Sequence, residues 1–113
     1  MHKIYSTPFN DVYLLYIAKV ERKGQSAADI DVVIRWLTGY TDAALKKHLK
    51  NGTTFRDFFE GATINPNAEL ITGKICGVTI QEIEDPLMKQ IRYLDKLVDE
   101  VAKGRAMEKI LRK

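Results

Sequence analysis

Apolar residues recur along most of this chain at spacings of three and four, and short breaks containing glycine, proline, serine or threonine separate the periodic segments. This spacing places the apolar side chains on one face of a helix. The first such segment carries Tyr13, Ile17 and Val20 on its apolar face and ends near Gly24. The pattern therefore predicts a succession of short amphipathic helices.

Six helix-start signals lie within the 113 residues. In each, a serine, threonine or asparagine stands where its side-chain oxygen can accept a hydrogen bond from the backbone of the first turn. Thr79, followed by Glu82, forms the most complete capping box. Thr7 is the expected cap of the first helix, with Pro8 at the first helical position. The remaining expected caps are Ser26, Thr41, Thr54 and Asn65.

The longest periodic segment runs from residue 86 to residue 103. Its apolar positions alternate in steps of four and three, which is a heptad-like seam. The seam covers little more than two heptads, so it favours the central helix of a bundle over the seam of a dimer. Its five members are Leu87, Ile91, Leu94, Val98 and Val101.

The fold predicted from these segments is all-α. About six short helices pack around one longer C-terminal helix, in a single domain over residues 1–113. Phe55, Phe58 and Phe59 are expected to form the aromatic centre of the core. Residues 72–78 are the exception, because two glycines flank β-branched residues there and indicate a short extended piece or a tight loop.

The sequence predicts neither a membrane anchor nor secretion. The longest apolar run, residues 12–18, is far below the roughly 20 residues that a transmembrane helix needs. The N-terminus has no apolar stretch of the kind found in secretory signals. Cys76 is the only cysteine, which excludes an internal disulfide and fits a reducing compartment. We therefore expect a cytoplasmic protein.

The excess of positive charge, +3 for the chain, lies at the C-terminus. Residues 1–102 hold 13 Lys and Arg against 14 Asp and Glu, whereas residues 103–113 hold five cations against Glu108. Cations at the end of a helix complement its dipole. The distribution therefore favours a solvated helix end over a phosphate-binding tail.

A helix-turn-helix motif would support DNA binding, with residues 26–37 and 41–49 as its two helices. Two packing positions do not fit, because Arg35 stands where the first helix needs a small residue and His48 where the second needs an apolar one. Nucleic-acid binding is therefore disfavoured. The lysines on the second helix are Lys46, Lys47 and Lys50.

The sequence contains no recognisable catalytic or metal-binding pattern. His2, His48 and Cys76 are the only side chains that offer nitrogen or sulfur ligands of the usual kind, and none has metal-site spacing. The glycines form no phosphate-binding loop, and a Cys76–His48 pair is less favoured than a small thiol in the core. We expect no catalytic residue, no metal and no cofactor.

One set of polar and aromatic residues could line a ligand groove. Part of the set surrounds the end of the second predicted helix, and part lies on the long helix. The competing interpretation is the border of a core, where arginine stems cover apolar surface and tyrosine hydroxyls reach water. The members are Arg35, Trp36, Tyr40, Arg92, Tyr93 and Asp95.

Three segments carry a family resemblance: residues 34–40 (IRWLTGY), 84–88 (EDPLM) and 91–96 (IRYLDK), supported by residues 2–5 (HKIY) and 106–111 (AMEKIL). These segments resemble the bacterial family known as domain of unknown function 2200, over essentially the whole chain. The resemblance implies a small, cytoplasmic, mostly helical bacterial protein. It implies no activity and supplies no catalytic residues.

The sequence supports three functional hypotheses. The leading hypothesis is a non-enzymatic cytoplasmic interaction module that binds a protein partner or a second copy of itself. The second is a small-ligand-binding protein or enzyme that uses the arginine, tryptophan and tyrosine set. The third is weak nucleic-acid binding through residues 103–113 and the three lysines.

Overall fold

In the computed structural model, which describes residues 3–113, the chain forms six α-helices, three short 3-10 helices and one two-stranded hairpin. The predicted mostly α-helical fold is confirmed. The α-helices are α1 (Phe9–Arg22), α2 (Ala27–Thr38), α3 (Asp42–Asn51), α4 (Phe55–Glu60), α5 (Pro86–Ala102) and α6 (Met107–Ile110). The strands are β1 (Lys74–Ile75) and β2 (Val78–Thr79), and the 3-10 helices are Lys3–Ser6, Pro66–Leu70 and Ile80–Glu82. None of the helices in residues 3–113 has the length and apolar character that a bilayer crossing requires.

Helix α5 lies at the centre of the bundle, where it contacts α1, α2, α4 and α6. Of its predicted seam, Ile91, Leu94, Val98 and Val101 are buried, and Leu87 is partly buried against the same core. The other helices of the chain therefore cover the seam. This burial confirms the central-helix interpretation and leaves no α5 seam for a second copy.

An aromatic cluster forms the centre of the core, as predicted. Phe55, Phe58 and Phe59 on α4 are all buried. Phe9, the first residue of α1, stacks on Phe58 with ring centroids 3.9 Å apart and meets Phe55 edge-on at 5.2 Å. These contacts tie the start of α1 to α4.

Four of the predicted caps are confirmed, because each side chain accepts a hydrogen bond from a backbone N–H of the turn that follows it. The donor–acceptor distances lie between 2.9 and 3.3 Å. The four capping residues are Ser26, Thr41, Thr54 and Asn65.

The predicted start of α1 is wrong by one residue. Pro8, not Thr7, is the N-cap, and its backbone is extended (φ −57°, ψ 131°). The cause is a tertiary pairing with the loop before α4: the Phe9 N–H donates to the Thr53 carbonyl at 2.7 Å, and the Phe55 N–H donates to the Thr7 carbonyl at 3.0 Å. These two bonds hold Pro8 outside the helix.

The capping box predicted at Thr79 is also wrong. Thr79 makes no side-chain cap and is followed only by the 3-10 helix Ile80–Glu82. A proline disfavours helical geometry in the residue before it, so the long helix begins only at Pro86. Asp85 is its cap and accepts a hydrogen bond from the Leu87 N–H at 3.0 Å.

The extended segment predicted near residues 72–78 is a β-hairpin. Lys74 pairs with Thr79 and Ile75 with Val78 in antiparallel register. Its two-residue turn has positive φ at both positions, 53° at Cys76 and 76° at Gly77, as two-residue hairpin turns of this handedness require. Cys76 is exposed at the tip of the hairpin, whereas a core position was favoured from the sequence.

Candidate functional site

The first part of the predicted ligand set is engaged in contacts at the end of α2. The Tyr40 hydroxyl donates to the Phe58 carbonyl at 2.6 Å, which anchors its ring against α4. The Arg35 guanidinium lies 4.0 Å from the Asp42 carboxylate, and Trp36 packs partly buried against the core. These three residues brace the turn between α2 and α3.

The second part of the predicted ligand set lies on α5, where Arg92 and Asp95 belong to one hydrogen-bonded network. The Tyr16 hydroxyl donates to Asp95 at 2.6 Å, and Arg92 donates to the other Asp95 oxygen at 2.9 Å. Burial and the Asp95 charge raise the pKa of Tyr16 well above its usual value. The Arg92 Nε atom is buried without a hydrogen-bond partner in residues 3–113.

The six predicted residues thus fall into separate contact sets. Within residues 3–113, no hydrogen bond, ion pair or ring contact joins Arg35, Trp36 or Tyr40 to the three members on α5. Of the six, Tyr93 lines the groove described next.

A groove of about 340 Å³ opens between the 3-10 helix Pro66–Leu70 and the first half of α5. We call it the Tyr93 groove. Tyr93 is only 6% exposed, and its hydroxyl makes no hydrogen bond with any described residue. The pKa of Tyr93 is raised, mainly by burial and to a smaller extent by the negative charge of Glu69. The apolar lining is Ile64, Pro66, Ala68 and Pro86.

Asn65 fixes the wall of the groove opposite α5. Its Oδ1 atom accepts from the Asn67 N–H at 2.9 Å, and its Nδ2 atom donates to the Trp36 carbonyl at 3.3 Å. The predicted residue Trp36 therefore touches this wall through its backbone. Both ends of the Asn65 amide are therefore hydrogen-bonded, and the bond to Trp36 ties this wall to α2.

Glu69, Lys89 and Gln90 also line the Tyr93 groove, and none of them was predicted from the sequence as a site residue. Glu69 and Lys89 carry opposite charges on opposite walls, yet neither belongs to an ion pair of the described chain. No spacing pattern distinguishes these residues from ordinary solvated positions. Only their convergence in space makes them a candidate site.

A second surface lies on α1. Leu14 and Leu15 are 56% and 66% exposed, which is unusual for leucine. Asp11, Ala18 and Arg22 are exposed on the same side of the helix. We call these five residues the α1 face. From the sequence, Tyr13, Ile17 and Val20 were expected to form the apolar face of this helix, and no role was predicted for Leu14 and Leu15.

The C-terminal cations are largely used within the chain. Arg105 and Arg112 bind the buried carboxylate of Glu100, at 2.9 and 2.5 Å, and Lys103 binds Asp99 at 3.0 Å. Residues 103–113 are therefore not simply a solvated helix end. Fewer free cations are left for phosphate, which counts further against the nucleic-acid hypothesis.

A family model described as an uncharacterized protein conserved in bacteria (DUF2200) matches residues 3–112. The chain belongs to the DUF2200 family. A crystal structure of the uncharacterized protein SP1917 is 50% identical in sequence, with a TM-score of 0.93 over 98% of this chain and 93% of that chain. No protein with curated annotation matches the chain. The expected resemblance is confirmed.

Neither the family description nor SP1917 carries an activity that could be transferred to this DUF2200 protein. Among its described residues, no group of three or more His, Cys, Asp or Glu side chains is placed to hold a metal ion. Two surfaces, the Tyr93 groove and the α1 face, are the basis for the functional proposals below.

The tyrosines of this DUF2200 protein predict a loss of stability at high pH. All five have a pKa raised above 10.0, with burial as the largest cause. The folded chain therefore keeps its phenol protons to a higher pH than the unfolded chain does. The contribution of the tyrosines to the free energy of unfolding is complete below about pH 10 and is lost as the pH rises towards their pKa values in the folded state.

We expect the urea midpoint to fall steadily above about pH 10, and the Tyr16→Phe variant to show a shallower fall than the unmodified protein. Comparing the two slopes separates Tyr16 from the deprotonation of lysines, which both proteins share. Equal slopes would show that Tyr16 ionises alike in the folded and unfolded chains.

Proposed function

We propose that this protein is a non-enzymatic interaction module that associates with a second copy of itself through the α1 face. The observation that carries the proposal is the exposure of Leu14 and Leu15, at 56% and 66%, on neighbouring positions of one helix. Covering exposed leucine side chains is favourable, at about 25 cal/mol per Å² of apolar surface. A contiguous apolar patch on an otherwise polar surface is typical of an interaction site.

The charges at the two ends of the α1 face favour a second copy as the partner. Asp11 and Arg22 are eleven residues apart, about three helical turns, so they lie on the same side of α1. A two-fold axis through the middle of the helix would pair two α1 helices antiparallel. Each Asp11 would then face the Arg22 of the other copy.

The same alignment gives steric complementarity at the centre. When Asp11 stands opposite Arg22 of the other copy, Leu15 stands opposite Ala18, and Ala18 opposite Leu15. A large side chain therefore meets a small one at both central positions, as close helix packing requires. A parallel pair would instead place like charges opposite each other at both ends, which is unfavourable.

The strength of this contact is limited by its size. One helix face buries less than the roughly 1,200 Å² of a standard stable interface, so we expect a weak, reversible dimer. The α5 seam cannot strengthen it, because the chain's own helices cover that seam. Association should therefore depend on protein concentration.

The test exchanges charges at the ends of the α1 face. Asp11→Arg alone and Arg22→Asp alone each place like charges opposite each other in both pairs, and each should weaken the dimer about ten-fold. An equimolar mixture of the two single variants should form a heterodimer, because every pair then becomes complementary. Sedimentation equilibrium over a concentration series measures all three samples.

The apolar centre provides a second variant. Leu15→Asp should abolish association while leaving the helical circular dichroism spectrum unchanged, since Leu15 is mostly exposed in the monomer. Leu70→Asp is the matched control, because Leu70 is similarly exposed, at 57%, but lies outside α1. A strictly monomeric protein at high micromolar concentration would refute the proposal, as would a dimer that the Leu15→Asp and charge variants leave intact.

The remaining parts of the proposal rest on the sequence. It contains no cofactor-binding loop and no recognisable nucleophile pair, which supports a non-enzymatic module. Cys76 has no second cysteine with which to form a disulfide, and this supports a reducing, cytoplasmic location.

A further inference from the structure

The Tyr93 groove presents polar groups that the protein does not use for itself. The side chains of Tyr93, Glu69, Lys89 and Gln90 line the groove, and among the described residues none of the four forms a hydrogen bond or an ion pair. Tyr93 is the most informative, because the residue is only 6% exposed yet lines the groove, and the charge of Glu69 on the opposite wall acts on its hydroxyl. A hollow in which apolar surface and a few convergent polar groups meet is a usual form of a small-ligand site.

The signs of the two charges restrict the class of ligand. Glu69 lies on the 3-10 helix that forms one wall, and Lys89 lies on α5, which forms the other. A ligand with a single charge would be attracted by one wall and repelled by the other. A molecule that carries both an ammonium and a carboxylate would satisfy both walls.

The size and lining of the groove restrict the ligand further. Its volume of about 340 Å³ is near the lower end of the range of small-molecule sites, roughly 300–1,000 Å³. Ile64, Pro66, Ala68 and Pro86 provide apolar surface between the charged walls. The ligand should therefore be small and should carry an apolar body between or beside its two charges.

We infer that the Tyr93 groove binds a small apolar zwitterion, namely a free α-amino acid or a dipeptide with an apolar side chain. Its ammonium group binds Glu69 and the Tyr93 hydroxyl, and its carboxylate binds Lys89. The Gln90 amide can donate to the ligand or accept from it. This site is independent of the α1 face, so either can fail without the other.

The experiment uses L-leucine and leucyl-leucine as probes, titrated to about 10 mM against the ¹⁵N-labelled full chain. Backbone amide shifts of residues 64–69 and 86–93 report binding in the groove. Isoamylamine and 4-methylpentanoate are the controls, because each keeps the leucine hydrocarbon chain and one charge but lacks the other. We expect saturable shifts with a zwitterion and much weaker ones with both controls.

Charge-neutral variants then test the two walls. Glu69→Gln and Lys89→Gln should each weaken zwitterion binding about ten-fold, because each removes a charge-assisted hydrogen bond. Glu84→Gln and Lys109→Gln remove the same charges from exposed residues outside the groove and should leave the affinity unchanged. The unperturbed shifts of α2 and α3 show that each variant is folded.

Three results would overturn the inference. The first is the absence of groove shifts with both zwitterions at 10 mM, a concentration that detects even a weak site. The second is equal binding of the two singly charged controls, which would indicate an apolar hollow without charge recognition. The third is an affinity for the zwitterions that neither wall variant changes.

Discussion

The Phe58→Ala variant is expected to lower the free energy of unfolding by about 4 kcal/mol, the largest single effect that we predict. Phe58 is fully buried, stacks on Phe9 at 3.9 Å and meets Phe59 edge-on at 5.5 Å. Alanine would leave a cavity between α1 and α4 that the stiff neighbouring rings cannot fill. The hydrogen bond from Tyr40 would survive, because it ends on the Phe58 backbone carbonyl.

Urea unfolding followed by circular dichroism measures this loss. Phe58→Leu is the graded comparison and should cost about 1 kcal/mol, since leucine keeps most of the apolar volume. Leu15→Ala is the exposed control and should change stability by less than about 0.5 kcal/mol. If Phe58→Ala cost no more than Phe58→Leu, the aromatic cluster would not be the centre of the core.

The sequence predicted those parts of the fold that local chemistry determines. The α5 stripe and the three phenylalanines follow from apolar spacing, which depends only on helix geometry. The caps at Ser26 and Thr41 are equally local, because a capping oxygen and its donor lie within three residues of each other. Such features can be predicted without knowing what packs against them.

The two helix starts that were predicted wrongly depend on contacts outside the local sequence. Thr7 carries a good capping side chain, but its backbone is held by a hydrogen bond from Phe55, 48 positions away. Thr79 has the best local signal of all, yet it pairs with Lys74 in the hairpin. In both places a tertiary contact has priority over local propensity, and one sequence alone does not contain that contact.

The candidate sites also combine features that the local sequence shows with features that only the folded structure shows. Tyr93 was predicted as one of six possible ligand residues, because an aromatic residue with a polar tip beside a core seam is recognisable by type. Its neighbours Glu69 and Lys89 were not, since the two walls of the groove come from distant parts of the chain. The exposure of Leu14 and Leu15 was missed for a different reason. The sequence correctly predicted that Tyr13, Ile17 and Val20 face the core, but no pattern in it shows that two further leucines of the same helix stay exposed.

The second large effect concerns Glu100, whose residue exposure is only 4%. Arg112 donates to both of its carboxylate oxygens, at 2.5 and 2.8 Å, and Arg105 donates at 2.9 Å. A buried charge that loses its partner is strongly destabilising, by about 3–5 kcal/mol. Because Arg105 is retained, we expect Arg112→Met to cost about 3 kcal/mol, the lower end of that range.

Matched variants separate this buried pair from the general charge of the C-terminus. Lys109→Met removes the same charge from an exposed position three residues before Arg112, and it should cost less than about 0.5 kcal/mol. Glu100→Gln combined with Arg112→Met should recover more than half of the loss, because the buried group is then neutral and retains Arg105 as a hydrogen-bond partner. Urea unfolding of the unmodified protein, of Glu100→Gln and Arg112→Met alone and of the double variant measures the coupling between the two residues, and Lys109→Met is measured beside them as the control. Equal losses for Arg112→Met and Lys109→Met would mean that α6 is not held to α5 through Glu100.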